Sequence, residues 1–225
     1  MMQKKRGRKK FRESVGASRE ELNRLNRILQ TLCQCNHALV HAIAETELYQ
    51  SVCQILVEVG GLRLAWVGHC EQDVSKTVRP VAIAGYRPDY VQNAKISWSE
   101  ENERGRGPTG IALRTGKPCW VKGAKVDPIL APWRTEANAR GYASCVALPL
   151  IANGKRLGCL SLYAGQRNAF NESTIDQYRA YSPLMPLLRH HLARFWARRF
   201  AITTKPISPL RQPSRDAKSG LLVAN

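Results

Sequence analysis

Seven cysteines and five histidines are the side chains of this sequence that could act as nucleophiles, redox groups or metal ligands. The cysteines are odd in number, show no two-pair CxxC spacing, and mostly lie within apolar runs. His37 and His41 are four residues apart in a helical pattern, but no third ligand follows at metal-site spacing. We therefore expect buried free thiols rather than disulfides or a zinc site, and no metal or other cofactor.

A glycine-rich stretch, GRGPTG at 105–110, has some resemblance to a phosphate-binding loop. A P-loop ends in Gly-Lys followed by Ser or Thr, because the lysine and the hydroxyl contact the phosphates and their metal ion. That ending is missing here, so we expect the glycines to shape a turn. With no set of nucleophile, base and metal ligands, the sequence predicts a protein that is not an enzyme.

The net charge of +18 is concentrated at the two ends of the 225-residue chain. Residues 1–24 and residues 171–225 each carry nine Lys or Arg against three acids, whereas residues 25–170 carry seventeen against eleven. Two-thirds of the excess charge therefore lies in the ends. This distribution favours weak, salt-sensitive contact of basic tails with nucleic acid or acidic lipid over a shaped DNA-reading face.

The elements that position these residues are organised around a predicted hairpin at 141–164. Two apolar runs, 142–151 and 156–164, flank Asn153-Gly154, a pair typical of tight hairpin turns. Both faces of the two strands are apolar, which predicts a central place in a sheet. Around this hairpin the patterns predict helices at 22–43, 47–59, 108–115 and 128–140, a turn or short helix at 87–93, and strands at 62–70, 77–84 and 117–121. This order is typical of an α+β fold with a mostly antiparallel sheet.

The first predicted helix carries two apolar stripes. One stripe follows a heptad repeat that includes a single Asn at an a position. Because such an Asn fixes the register of parallel dimers, this stripe predicts a homodimer through the N-terminal helix. The other stripe, Ile28, Leu32, Cys35 and Leu39, predicts a helix that lies on its own sheet, and both interpretations stay open. The heptad places Leu22, Leu29, Asn36 and Ile43 at a, and Leu25, Leu32 and Leu39 at d.

Four segments in this order resemble a GAF domain of the bacterial signalling kind that precedes GGDEF, EAL or histidine-kinase modules. They are GGLRLAWVG (60–68), GRGPTGIALRTGKP (105–118), DPILAPWR (127–134) and GYASCVALPLIANGKRLGCLSLYA (141–164). The resemblance covers about residues 20–170. It implies a sheet of five or six antiparallel strands, with the terminal helices on one face and a loop-covered pocket for a small molecule on the other. Family members commonly dimerise through those terminal helices.

The resemblance also implies where a ligand would bind. A GAF-fold enzyme, the free-methionine-sulfoxide reductase, has a catalytic Cys two residues after GRG, where this sequence has Thr109. No signature of a cyclic nucleotide or a bilin is present. Aromatic walls with a few polar groups are typical of small-ligand sites, although each aromatic taken alone is better explained as core packing. The candidate ligand-binding residues are Trp66, Trp98, Thr109, Asp127, Trp133, Arg134, Tyr142 and Ser144.

Three segments are predicted along the chain. Residues 1–18 should be a disordered basic tail, with Ser18 and Glu21 as a capping box for the following helix. Residues 19–175 form the GAF domain. Residues 176–225 are an atypical basic C-terminal tail, because Pro183 and Pro186 would break the closing helix. Their composition is typical of a truncated or out-of-frame reading of a longer signalling gene. The alternative is that they form a short helix at 190–200 followed by a disordered tail.

The sequence therefore favours a non-catalytic sensor module that binds a small ligand or transmits a signal through helix-mediated dimerisation. One alternative is a nucleic-acid-associated regulator that uses its basic tails. Another is a non-functional remnant of a larger protein. The basic N-terminus lacks the apolar region of a signal peptide, and no apolar run is long enough to span a bilayer, so we expect a cytoplasmic protein without a membrane span.

Overall fold

The fold is an α+β arrangement in which helices cover both faces of one antiparallel sheet. The structure is a computed structural model that describes residues 2–152 and 154–179. The helices are α1 (Met2–His41), α2 (Glu45–Glu58), α3 (Asp89–Asn93), α4 (Pro108–Thr115), α5 (Arg134–Ala139) and α6 (Glu172–Arg179), with short 3-10 helices at Glu103–Gly105 and Pro128–Trp133. The strands are β1 (Leu64–Cys70), β2 (Val78–Gly85), β3 (Cys119–Val121), β4 (Ser144–Ala152) and β5 (Lys155–Ala164).

The five strands lie in the order β2-β1-β5-β4-β3, and every neighbouring pair is antiparallel. The predicted hairpin forms the centre of this sheet, with Leu148 opposite Leu160 and Ala152 opposite Lys155. Gly154 has φ +73, the backbone that a tight turn requires. Its partner in the predicted turn, Asn153, lies outside the described residues. The prediction of a sheet of five or six antiparallel strands is confirmed.

One face of the sheet packs against α1, α2 and α6. Alternate residues of the strands, such as Val67, Leu148 and Leu160, join the buried side chains of α2 in a single core. Phe170 and Ile175 extend this core towards α6. The sequence prediction that the terminal helices share one face is confirmed, because α1 and α6 both contribute to it.

The exposed edge of β2 is closed by a side chain of α2. The Gln50 amide donates from Nε2 to the Ile83 carbonyl at 3.0 Å, and its Oε1 accepts from the Ile83 N–H at 3.3 Å. Edge strands with free backbone groups can pair with other chains. This amide therefore occupies one ladder position of an edge that would otherwise be open.

The opposite face is covered by a layer of short helices and loops. Leu64 and Trp66 of β1, Cys145 of β4 and Tyr163 of β5 point into this second core. Side chains from α3, α4, α5 and the Pro128–Trp133 helix close over them. This layer occupies the face of the sheet on which the sequence analysis predicts the ligand pocket.

Helix α1 begins at Met2, so residues 2–18 of the segment predicted as a disordered tail lie within this helix. Lys and Arg are good helix formers, and the segment contains no proline to interrupt the hydrogen-bond ladder. Ser18 consequently lies inside the helix and not at its N-cap. The helix also ends at His41, so Ile43, the last predicted a position, lies outside it in the turn before α2.

Two further boundaries differ from the predictions. The expected helix at 128–140 is a 3-10 helix followed by α5, because Pro132 has no N–H for a regular ladder. The predicted domain end at residue 175 lies within α6, which continues to Arg179, and the ring of Tyr178 packs on Phe170 with centroids 5.8 Å apart. Pro183, Pro186 and the rest of 180–225 lie outside the described residues. No helix in the described part of the chain is long and apolar enough to cross a bilayer.

Candidate functional site

The predicted pocket face contains a cluster of three tyrosines over the central strands. The rings of Tyr90, Tyr142 and Tyr163 have centroids 5.1 to 5.8 Å apart. The Tyr142 hydroxyl donates to the carbonyl of Tyr86 at 2.5 Å, which ties the layer to the end of β2. Trp66 lies on the same face and is fully buried. These contacts make the tyrosines part of a packed second core.

The glycine-rich segment shapes the layer around Trp133. A Cβ at Gly107 would lie 2.5 Å from the Trp133 ring, and one at Gly110 would lie 2.0 Å from the Gly105 carbonyl oxygen. The Trp133 indole N–H donates to the Ala94 carbonyl at 3.0 Å. Glycines at 107 and 110 therefore permit close packing, and the prediction that GRGPTG shapes a turn agrees with this role.

A buried polar pair lies at the floor of the layer. The hydroxyls of Thr109 on α4 and Ser161 on β5 are 3.1 Å apart, and both residues are buried. Cys159 is the next inward-pointing residue of β5, with its sulfur 3.7 Å from the Ser161 hydroxyl. Thr109, one of the candidate ligand-binding residues, is therefore buried and bonded to the sheet through Ser161.

The space enclosed by the layer is small. It amounts to about 10 Å³, which is room for about one water molecule. Pockets for drug-sized ligands enclose roughly 300 to 1,000 Å³. The pocket position is therefore filled by the protein's own side chains. The residues around the space are Tyr90, Ile96, Gly107, Pro108, Thr109, Leu130, Trp133 and Tyr163.

Asp127 and Arg134 hold the Pro128–Trp133 helix and do not line this space. The Asp127 carboxylate accepts from the Ile129 N–H at 3.0 Å and caps the helix, and Arg134 Nη2 donates to the Asp127 carbonyl at 2.9 Å. A cap of this kind satisfies a backbone donor that would otherwise be unpaired. Both residues are explained by local structure.

The remaining two candidates lie away from the space. Trp98 is half-buried at the edge of the layer, where its indole N–H donates to the Glu71 carbonyl at 2.9 Å and Lys76 Nζ lies 5.0 Å from the ring. Ser144 lies on the other face of the sheet from the enclosed space. Its position in β4 alternates with Cys145, so it faces the helix side, and its hydroxyl donates to the Gln166 carbonyl at 2.7 Å.

The structure brings together Thr109, Trp133, Tyr142 and Trp66 of the eight candidates, and only the first two line the enclosed space. Sequence reasoning missed Tyr90, Ser161 and Tyr163. The last two lie in the predicted β5 at alternate positions, so period two along this strand could have identified them. Tyr90 lies in a short helix whose contacts depend on loop geometry, and no sequence pattern places it over the sheet.

A second candidate surface runs along α1. Leu22 and Leu29 are each 58% exposed and Leu25 is 40% exposed, whereas Leu32 and Leu39 pack on the domain's own core. Asn36 is exposed. Of the heptad positions, Leu22, Leu25, Leu29 and Asn36 therefore face solvent, whereas Leu32 and Leu39, which belong to both stripes, lie against the domain.

The early start of α1 adds a residue that the sequence analysis missed. Val15 lies one heptad before Leu22, at an a position, and is 51% exposed. The exposed stripe, defined here as Val15, Leu22, Leu25, Leu29 and Asn36, therefore runs along α1 from residue 15 to residue 36. Among the described side chains of α1, Thr31 and Cys35 are fully buried.

A sequence profile of the GAF domain family matches residues 42–183, well over half of the 225 residues. The chain belongs to the GAF domain family. No curated protein matches this sequence. The five-stranded sheet with its helical face and its loop-covered face agrees with membership of that family.

Solved structures share this GAF fold at low sequence identity. The GAF domain of a phosphoenolpyruvate-protein phosphotransferase from Coxiella burnetii has a TM-score of 0.61 at 19% identity, over 78% of this chain and 97% of that chain. A domain of a putative two-component sensor histidine kinase from Sinorhizobium meliloti has a TM-score of 0.52 at 19% identity, over 69% and 97%. The free methionine-R-sulfoxide reductase from Neisseria meningitidis, in complex with its substrate, has a TM-score of 0.57 at 18% identity, over 77% and 91%. At such identities the similarity shows the fold alone.

Burial dominates the protonation of this GAF domain's inner groups. It raises the pKa of Cys119 to about 11 and that of Cys159 to about 12, so both thiols stay protonated at neutral pH. Burial also raises the pKa of Tyr142 to about 12 and that of Tyr163 well above its ordinary value. The nearby Trp66 indole lowers the pKa of Tyr163 and so opposes the effect of burial. Among the described residues, no acceptor makes a well-aligned hydrogen bond with the Trp66 N–H.

Proposed function

We propose that this GAF domain is a non-catalytic regulatory module that works by pairing its α1 helix, in parallel, with α1 of a second copy. The observation that carries the proposal is the exposed stripe of α1. Leu22 and Leu29 lie one heptad apart with more than half of each side chain in solvent. Burying apolar surface of this kind contributes about 25 cal/mol per Å².

The position of Asn36 supports a parallel arrangement with a fixed register. It occupies an a position of the same stripe and is exposed, so in a parallel pair it would meet its own symmetry mate. A buried Asn pair costs stability and selects the dimer over other oligomers, because its amides bond only in that register. Leu32 and Leu39 belong to the domain core, so a change in pairing would act directly on the α1 contact with the sheet.

Three observations on the described residues support a non-catalytic role. Burial keeps the pKa of the inner cysteines raised, and a thiol must ionise before it becomes a nucleophile. Among the described residues no cluster of three His, Cys, Asp or Glu side chains could hold a metal ion. Thr109, which occupies the position of the reductase cysteine in the family resemblance, is bonded to Ser161.

Binding of a small molecule on the loop-covered face is the second candidate function. The buried pair Thr109 and Ser161 and the aromatic cluster of Tyr90 and Tyr163 favour this position, since they combine polar groups with aromatic walls. The enclosed space of about 10 Å³ means that a ligand would have to displace the α3–α4 layer. A nucleic-acid contact through the basic ends, and a remnant of a larger signalling protein, remain the alternatives that the charge and the C-terminal composition suggest.

Single substitutions on the exposed stripe test the pairing. In Leu29→Glu two carboxylates would face each other in the seam, at a cost of several kcal/mol, and we expect a monomer by light scattering. The matched control is Val74→Glu, which adds the same charge at a fully exposed apolar residue outside α1, and it should keep the mass of the wild type. Asn36→Leu should raise the melting temperature and mix the oligomeric states. A Leu29→Glu protein with the same mass as the Val74→Glu protein would defeat the proposal.

A further inference from the structure

A large open cleft lies between α1 and the end of the sheet at which β1 begins and β5 ends. It measures about 800 Å³. Its walls are α1, the turn at Gly60-Gly61, and the segment 164–171 that leads from β5 to α6. Neither the proposed pairing nor the second candidate function uses this cleft, since the exposed stripe of α1 points elsewhere.

The cleft is lined by four arginines. Arg24, Arg27, Arg63 and Arg167 all border it. Arg24 makes a bidentate ion pair with Glu21, with both N–O distances at 2.9 Å. For Arg27 and Arg63 no carboxylate lies within ion-pair distance among the side chains that the structure describes. Both border the cleft at glycines, Arg27 at Gly61 and Arg63 at Gly165, whereas the Arg167 guanidinium lies beside Gly123. One acid, Glu20, also borders the cleft.

Two of these arginines lie against glycine residues. The Arg63 guanidinium lies beside Gly141 and over the Tyr86 ring, with Cζ 5.2 Å from the ring centroid. Its Cδ would be 2.8 Å from a Cβ at Gly165. In the same way, Arg27 Nη1 would be 2.8 Å from a Cβ at Gly61. The absence of a side chain at these glycines leaves the room that the two arginines occupy.

The charge of the chain itself indicates an external anion. Residues 180–225 carry eight Lys or Arg against one acid, and residues 1–18 are also basic, so neither end complements an arginine-lined cleft. Arginine forks bind phosphate oxygens in a bidentate manner. The volume of about 800 Å³ lies in the range of small-molecule sites. A concave site of this size fits a small ligand better than a long polyanion, which would need an extended basic surface.

We propose that this arginine cleft binds a small anion that carries phosphate groups, such as a phosphate ester or a polyphosphate. Arg63 binds it from the sheet, and Arg27 binds it from α1. The ligand thereby connects α1 to the sheet. This proposal does not depend on dimerisation, because the arginines of one chain form the whole cleft.

Calorimetric titration of the full chain with inorganic pyrophosphate, at constant ionic strength, tests the proposal. Arg27→Gln and Arg63→Gln should each weaken binding by about tenfold, since each removes one charge-assisted contact. The matched control is Lys155→Gln, which removes one positive charge at the tip of the β4–β5 hairpin, at the other end of the sheet, and should bind like wild type. Melting temperatures without pyrophosphate establish that each variant is folded. If Arg63→Gln is unfolded, the affinity of the Arg27→Gln variant for pyrophosphate decides the result, because Arg27 is exposed on α1.

Three outcomes would overturn the inference. One is no detectable binding of pyrophosphate by the wild type at about 1 mM. Another is an equal loss of affinity in all three variants, which would indicate diffuse attraction to a basic protein. The third is tight binding of a single-stranded oligonucleotide that pyrophosphate does not displace, which would assign the arginines to nucleic acid.

Discussion

Replacement of Trp133 by alanine tests whether the loop-covered face is a packed core or a ligand pocket. The indole is only 5% exposed, lies against Gly107 and bonds to the Ala94 carbonyl at 3.0 Å. Truncation of a large buried aromatic to alanine costs about 3 to 5 kcal/mol, since the surroundings collapse only in part. We expect a loss in this range for Trp133→Ala.

Trp133→Phe is the matched variant that separates packing from hydrogen bonding. The Ala94 carbonyl also accepts from Arg104 Nη1 at 2.6 Å, so removal of the indole N–H leaves this oxygen paired. The cost should then be about 0.5 to 1.5 kcal/mol for the lost bond, plus a small loss of contact area. The difference between the two variants measures the packing of the ring itself.

Urea unfolding followed by far-ultraviolet circular dichroism is the assay, because tryptophan fluorescence would change with the substitution. A domain of ordinary stability, about 5 to 15 kcal/mol, stays folded with this loss. Indole added to Trp133→Ala should bind in the new cavity and restore part of the stability. A cost below about 1 kcal/mol for Trp133→Ala would show that the ring is not packed and would refute the filled-pocket interpretation.

Three further predictions concern the edge strand, the buried tyrosines and the N-terminal part of α1. Gln50→Ala should lose about 1 to 3 kcal/mol by urea unfolding, because it frees both backbone groups of Ile83; the exposed Gln54→Ala is its control, and equal costs would contradict the edge role. Burial raises the pKa of Tyr142 to about 12 against about 10 for a free tyrosine. The associated stability is therefore full below pH about 10 and is lost as the pH rises towards 12; unchanged unfolding midpoints over that range would argue against burial of the phenol. Removal of residues 1–14, which leaves Val15 in place, should leave the melting temperature unchanged and lower the helical circular dichroism signal, whereas a loss of several degrees would mean that this segment packs on the domain.

The sheet and its order of elements could be predicted because each strand carries its own local pattern. The alternation of Leu148 and Leu160 with their neighbours, and the turn residue Gly154, define the central hairpin without reference to any other segment. The helix α4, Pro108–Thr115, was predicted with its observed bounds, since Pro at its start and Gly116 at its end are local signals.

The candidate site could be predicted only in part, because its contacts cross between segments. Trp66 and Trp133 were expected on the loop-covered face and lie there, yet nothing in the sequence indicates that their rings fill the space. Ser144 precedes the inward-pointing Cys145 by one residue and faces the helix side, because a shift of one residue in a strand reverses the face. The helical start of α1 was missed because a basic composition predicts disorder, although Lys and Arg also favour helices.

The mass of the unmodified full chain in solution tests the central claim most directly. Sedimentation equilibrium at tens of micromolar, at moderate salt, reports this mass without labels or substitutions. If α1 pairs through Val15, Leu22, Leu25, Leu29 and Asn36, the protein should sediment with the mass of two chains and dissociate on dilution. A single-chain mass throughout that concentration range would contradict the proposed pairing.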